Sequence, residues 1–152
     1  MAILGVDVGY NLGYAVLGEG LLEHGLLRTR GDAHRRLAEI FEHVSSIIRR
    51  FGIECVAVEK LFYAKSIPSL VKLAESRGAV LAAAGAMDVP VVELHPADVK
   101  KGITGNGAAT KEQVLFMVKN IFGIDGISHH EADAIAIALY ARRLREAAWS
   151  RT

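Results

Sequence analysis

Two apolar runs in this chain each end in a carboxylate: Ala2-Ile3-Leu4-Gly5-Val6-Asp7 and Cys55-Val56-Ala57-Val58-Glu59. Runs this apolar predict buried central strands. A carboxylate there is costly unless it is paired or binds a metal. A third segment, His130-x-x-Asp133, opens an apolar helical pattern. Together the three predict an acidic metal site assembled from distant parts of the chain.

The rest of the sequence narrows the setting. With 152 residues, the chain is long enough for one domain with a real core. A single domain over residues 1–152 is expected, since no repeat, linker or low-complexity segment divides it. Half the residues are hydrophobic, which excludes a disordered chain. The one cysteine, Cys55, lies in a strand-like run and reads as a buried, inert thiol. A disulfide framework within one chain is excluded, which fits a reducing cytoplasm. The first apolar run has no basic stretch before it and contains Asp7, so it is not a signal peptide. The longest apolar stretch, 78–87, is too short to span a bilayer, so no membrane partner is expected. The net charge of +1 does not announce a nucleic-acid protein. Local distribution differs: Lys60, Lys65, Lys72, Arg77, Lys100, Lys101 and Lys111 outnumber the acids between Glu59 and Glu112.

Strands are expected over 3–7, 13–17 and 21–28, joined by glycine-rich turns into an antiparallel meander. Residues 33–51 follow the helical period through Leu37, Ile40, Phe41, Val44, Ile47, Ile48 and Phe51, with Asp32 as N-cap. A fourth strand over 55–59 precedes a helix over 66–86 with Pro68 in its first turn. A fifth strand covers 91–94, and 102–107 reads as a flexible glycine loop. Thr110-x-x-Gln113 is a capping box opening a helix over 111–122. A last helix covers 130–147. Strands alternating with helices add in parallel to the meander. The fold class is therefore α/β: a mixed five-stranded sheet, three antiparallel strands then two parallel ones, flanked by helices.

The acidic residues suit phosphodiester hydrolysis. Two hard cations roughly 3.5–4 Å apart activate a water and stabilise the leaving oxygen. They want oxygen ligands, chiefly carboxylates. Asp7 and Glu59 supply these if their strands are neighbours. His130 and Asp133, three apart, share one helical face, which continues as Ala134 and Ile137. Glu131 points elsewhere. Asp7 also suits a turn or cap, Glu59 a strand end, and His129 competes with His130 for the ligand position.

The segments Asp7-x-Gly9-x-x-x-Gly13, Val58-Glu59-Lys60-Leu61-Phe62-Tyr63-Ala64-Lys65 and His130-x-x-Asp133-Ala134-Ile135-Ala136-Ile137-Ala138 resemble the RuvC family of bacterial Holliday-junction resolvases. The resemblance covers nearly the whole chain, in order. It implies a ribonuclease H-like fold and a metal-dependent, structure-selective endonuclease. Such an enzyme resolves four-way junction DNA by paired symmetric nicks, leaving 5′-phosphate and 3′-hydroxyl ends, in recombination and repair. It implies Asp7, Glu59, His130 and Asp133 as catalytic metal ligands for Mg²⁺ or Mn²⁺, two per active site. It also implies a homodimer, and branch-migration proteins as further partners. Many members have proline after the first aspartate, where this chain has Val8.

Phe62, three residues past Glu59, suits a core aromatic or a base-stacking one. The resemblance favours stacking, with Tyr63 as a lesser candidate. Lys100 and Lys111 flank the glycine loop, and the resemblance implies DNA contact for both and a catalytic role for Lys111. A lysine near a scissile phosphate stabilises developing charge. Lys111 opposes the dipole of the helix it opens. Lys65 and Arg77 are candidate phosphate contacts. Leu70, Leu73, Ala74 and Ala84 on the second helix are the candidate dimer face, or ordinary core. Two other resemblances are weaker. One is to a YqgF-type ribosomal-RNA maturation nuclease of the same fold. The other is to the phosphate loop of small actin-like ATPases, which need two lobes.

Overall fold

The computed structural model describes residues 1–61 and 64–151, with only the backbone of Trp149. Phe62 and Tyr63 lie outside the described residues. Strands β1 (Ala2–Asp7), β2 (Leu12–Leu17) and β3 (Leu21–Leu27) form the antiparallel meander. Helix α1 (Ala33–Phe51) leads to β4 (Ile53–Glu59), and α2 (Ile67–Ala86) to β5 (Val91–Leu94). Three helices follow: α3 (Pro96–Thr104), α4 (Lys111–Phe122) and α5 (His129–Trp149). The sheet order is β3-β2-β1-β4-β5, with β4 parallel to both β1 and β5. The expected architecture is present: three antiparallel strands, then two parallel ones.

Strand alternation splits the core in two. Leu4, Val6, Val56 and Val58 face α1 and α2, where Ile40, Val44, Ile47, Ile48 and Val80 cover them. Ile3, Ala15, Cys55 and Ala57 face α5. Cys55 is buried as expected, and burial pushes its thiol pKa up. Asp7 and Glu59 follow the odd-numbered alternation, so both point to the α5 side.

Two glycines set how close α5 comes. A Cβ on Gly5 would collide with the carbonyl oxygen of Ala134 and lie 2.8 Å from the Cβ of Ala138. A Cβ on Gly13 would collide with the carbonyl oxygen of His130. Bare backbone at these two strand positions lets the helix rest on the sheet.

Two expectations need correction. The first half of the stretch expected as a flexible loop over 102–107 is helical. Residues 96–104 form α3, with Pro96 at its first position, Val99 and Ile103 buried one turn apart, and Gly105 ending it at φ 82°. Gly102 is a helical residue, and the ring of Tyr140 takes the space a Cβ would need. Secondly, Leu70, Leu73, Ala74 and Ala84 do not share one environment. Ala84 is fully buried, while Leu70 and Ala74 are exposed. The capping box on α4 is present, with Thr110 Oγ1 accepting from the Gln113 amide at 3.1 Å and Gln113 Oε1 from the Thr110 amide at 2.9 Å. Asp32 occupies the N-cap of α1 but makes no side-chain cap bond. No helix among the described residues is long and apolar enough to cross a membrane.

Candidate active site

The register brings the two strand carboxylates together. Val6 pairs with Val58 in parallel, so Asp7 and Glu59 leave adjacent strands side by side. From the other side, α5 lays its first turn across β1 and β2. Gly13 pairs with Asp7, and His130 sits directly on Gly13. His130 Nδ1 is 2.8 Å from Asp7 Oδ2. Helix α5 begins at His129, one residue earlier than expected, with Ser128 accepting from the Glu131 amide at 3.1 Å. The earlier start does not exchange the histidines: His130 still meets Asp7. His129 Nδ1 is buried with no hydrogen-bond partner among the described residues. Glu131 turns away and pairs with His24 at 3.3 Å.

Asp7, Glu59, His130 and Asp133 line one cleft of about 340 Å³ with Lys60, Leu61, Leu73, Arg77, Pro96, Val99, Lys100, Lys111 and Val114. Its electrostatics are those of acids crowded away from water. Burial, then Asp7 and Asp133, push the Glu59 carboxyl up to about 7, against a lowering by Lys100. Burial, then Asp7, push Asp133 up to about 6, against Lys111 and both histidines. The hydrogen bond to Asp7 raises the pKa of His130. The two lysines thus divide the site: Lys100 faces Glu59, and Lys111 faces Asp133 and His130. Lys111 is held there by the α4 capping box, and Lys100 by α3.

The expected residues scatter less than their sequence separation suggests. Asp7, Glu59, His130, Asp133, Lys100, Lys111 and Arg77 all reach the cleft. Arg77 is also tied to Glu93 at 2.8 Å. Lys65 is exposed and does not line the cleft. Lys60 was read only as part of the local basic run, and the α3 residues Pro96 and Val99 went unread in the sequence. Lys60 lies within 3.5 Å of His95; its adjacency to Glu59 was the available signal. Pro96 and Val99 were invisible because α3 itself was.

The donor set suits a divalent cation by type: three carboxylates and an imidazole. It also suits one by field, since Glu59 and Asp133 hold protons at a pH where isolated acids are ionised. Among the described residues no three such side chains stand close enough to hold an ion as placed.

The family model for crossover junction endodeoxyribonuclease RuvC matches residues 3–141. The chain belongs to the RuvC family. A RuvC from Natranaerobius thermophilus is 39% identical over 158 aligned positions, covering 95% of this chain and 98% of the relative. One from Thermosipho melanesiensis is 35% identical, covering 91% and 94%. The structure of Thermus thermophilus RuvC in complex with a Holliday junction substrate superimposes with a TM-score of 0.87. It is 35% identical and covers 97% of this chain and 96% of its own. The fold is ribonuclease H-like, and the RuvC family implies an enzyme that depends on a divalent metal.

Proposed function

We propose that this chain is a single-domain nuclease over residues 1–152 that resolves Holliday junctions by paired symmetric nicks, leaving 5′-phosphate and 3′-hydroxyl ends. The observation that carries the reading is the convergence of Asp7, Glu59, His130 and Asp133 in one cleft flanked by Lys100 and Lys111. Membership of the RuvC family supports it. The ligand set takes Mg²⁺ or Mn²⁺, two per active site. Bound there, the cations supply an activated water and charge stabilisation on the phosphate.

The chain's own groups do the rest. Asp7 is oriented by its hydrogen bond to His130, and that bond raises the pKa of His130. Glu59 and Asp133 must give up their protons before they ligate. Lys111 is positioned to meet negative charge on the phosphate beside Asp133, and Lys100 beside Glu59. Phe62 and Tyr63, the third and fourth residues after Glu59 in the sequence, are the stacking candidates. Lys65 and Arg77 are contacts farther along the backbone.

One cleft cuts one strand, so two symmetric nicks call for a homodimer facing a two-fold substrate. The exposed Leu70 and Ala74 on α2 remain available for that contact. Branch-migration proteins fit as partners of the assembly. The cytoplasm is the expected compartment, where chromosomal junctions arise in bacteria.

The deciding experiment is cleavage of a mobile four-way junction with and without Mn²⁺, mapping both nicks. Two metal-dependent nicks at symmetric positions are expected. Cleavage of ribosomal-RNA precursors with an intact junction would favour the YqgF-type alternative.

A further inference from the structure

The net charge of +1 hides a local excess. The β3–α1 connection and the start of α1 carry Arg28, Arg30, Arg35 and Arg36 within nine residues, with Asp32 as the single acid. The topology puts this segment at the working end of the sheet. Leu27, the last residue of β3, pairs with Leu12, and Gly13 pairs with Asp7 across β2. Two strand spacings of about 4.8 Å place the end of β3 roughly 10 Å from Asp7.

Arg36 is the anchor of this segment. It is 3% exposed, donates to Ser76 Oγ at 2.8 Å, and lies 3.7 Å from Glu75. Its guanidinium is 4.9 Å from the centroid of the Tyr10 ring, and Lys72 Nζ is 5.7 Å from the same centroid. The Thr29 hydroxyl donates to the Tyr10 carbonyl at 3.0 Å. Gly31, at φ 88°, makes the left-handed turn into α1. The connection is therefore tied to α2 through Arg36 and to the β1–β2 turn through Thr29.

Arg28, Arg30 and Arg35 differ from Arg36. All three are exposed, and none enters an ion pair among the described residues. Guanidinium groups on an anchored support, uncompensated by carboxylates and beside a nuclease cleft, match a phosphate backbone in charge and geometry.

We infer that Arg28, Arg30 and Arg35 form a phosphate-binding surface that holds a duplex arm of the substrate on the α1 side of the cleft. The inference rests on the nuclease reading above. A reach of roughly 10 Å is about three base-pair rises of 3.4 Å, so the contacted phosphates lie a few pairs from the cut.

The test is binding of a four-way junction across a salt series, without divalent metal, by the full chain and two triple variants. In Arg28→Ala/Arg30→Ala/Arg35→Ala, the slope of log K against log salt falls by about 2–3 units, and affinity drops at least about tenfold. Arg28→Lys/Arg30→Lys/Arg35→Lys keeps most of the slope. Cleavage at saturating junction is unchanged in both, so KM moves and kcat does not. Neutral methylphosphonates three to five pairs from the cut weaken the parent chain and leave the alanine variant unaffected. An alanine variant that melts like the parent and keeps its slope overturns the inference. So does a lysine variant as weak as the alanine one. If the alanine variant does not fold, methylphosphonates that fail to weaken the parent chain and the lysine variant overturn it. A parent chain that cuts junctions while the variants bind normally sinks this inference alone. A parent chain that neither binds nor cuts sinks the nuclease reading as well.

Discussion

The two faces of the sheet are packed by different kinds of residue. Against α1, the fit is made by large branched side chains: Ile40, Val44, Ile47 and Ile48 on Leu4, Val6, Val16 and Val56. Against α5, Ile3, Leu17, Ile135 and Ile137 are buried too, but the closest approach is made by small residues, with Ala134 and Ala138 above Gly5 and the His130 backbone above Gly13. Branched side chains repack when one is exchanged, because neighbouring rotamers can adjust. A helix backbone resting on strand backbone has no such slack, and all four acidic-site residues belong to this second face. The scaffold face sets how stable the protein is. The site face sets where the proposed ligands are.

The largest effect should come from the proposed ligands themselves. Glu59→Gln keeps the shape of the side chain and removes its charge. Junction cleavage should fall on the order of 10³-fold or more, with junction binding retained. A Glu59→Gln protein that nicks at the parent rate would remove Glu59 from the site. Next comes Gly13→Ala, a single methyl on the site face. Its Cβ would occupy the space of the His130 carbonyl, so the start of α5 must shift away from Asp7. A displacement near 1 Å costs on the order of 10²-fold in rate. The loss should appear in kcat for the protein that remains folded. An unchanged kcat would mean the small-residue contact does not position the site.

The site face should also carry the pH response. Glu59 titrates at about 7 against an ordinary 4.5, and Asp133 at about 6 against 3.8. Between those values the folded chain holds protons that the unfolded chain has lost. Stability of the metal-free protein therefore falls as pH rises through these windows. His130 acts in the same direction, since its raised pKa gives stability that is lost as pH rises through it. Ligation needs the deprotonated acids. At limiting Mg²⁺, cleavage should thus rise by up to about a hundredfold per pH unit below about 6, where both acids must lose a proton, by about tenfold per unit between 6 and 7, and flatten above 7. Added Mg²⁺ should raise Tm more at pH 7.5 than at pH 5. A flat rate profile from pH 5 to 7 would show that Glu59 and Asp133 are ionised without metal.

The two faces were not equally legible in the sequence. The α1 face could be read directly, because residues 33–51 repeat at the helical period and begin and end where the helix does. Both strand carboxylates were legible too, as polar ends on apolar runs. What could not be read was contact between backbones. Gly5 reads as one more residue of an apolar strand and Gly13 as a turn glycine until the register places α5 above them. Helix α3 was missed for a related reason: Gly102 looked like a loop residue, yet it is glycine because Tyr140 packs there. The arginines at 28–36 were hidden by a balanced total charge. Their position became meaningful only once β3 was seen to end level with the end of β1, across β2.

The smallest effect should be a methyl removed from the scaffold face, and it completes the contrast with Gly13. Ile47 is fully buried between α1 and the sheet. Ile47→Val deletes one methyl group there and should cost about 0.5–1.5 kcal/mol of stability. Denaturant unfolding would show this as a lower midpoint at constant slope. The cleavage rate at saturating junction should match the parent, since no ligand leans on this side chain. The two substitutions each change a single methyl. They lie on opposite sides of the same sheet and should separate cleanly, one into stability and the other into kcat. If Ile47→Val lowered kcat tenfold at unchanged stability, the division between scaffold face and site face would be wrong. The sheet would then have to transmit packing on the α1 side to the carboxylates at its end.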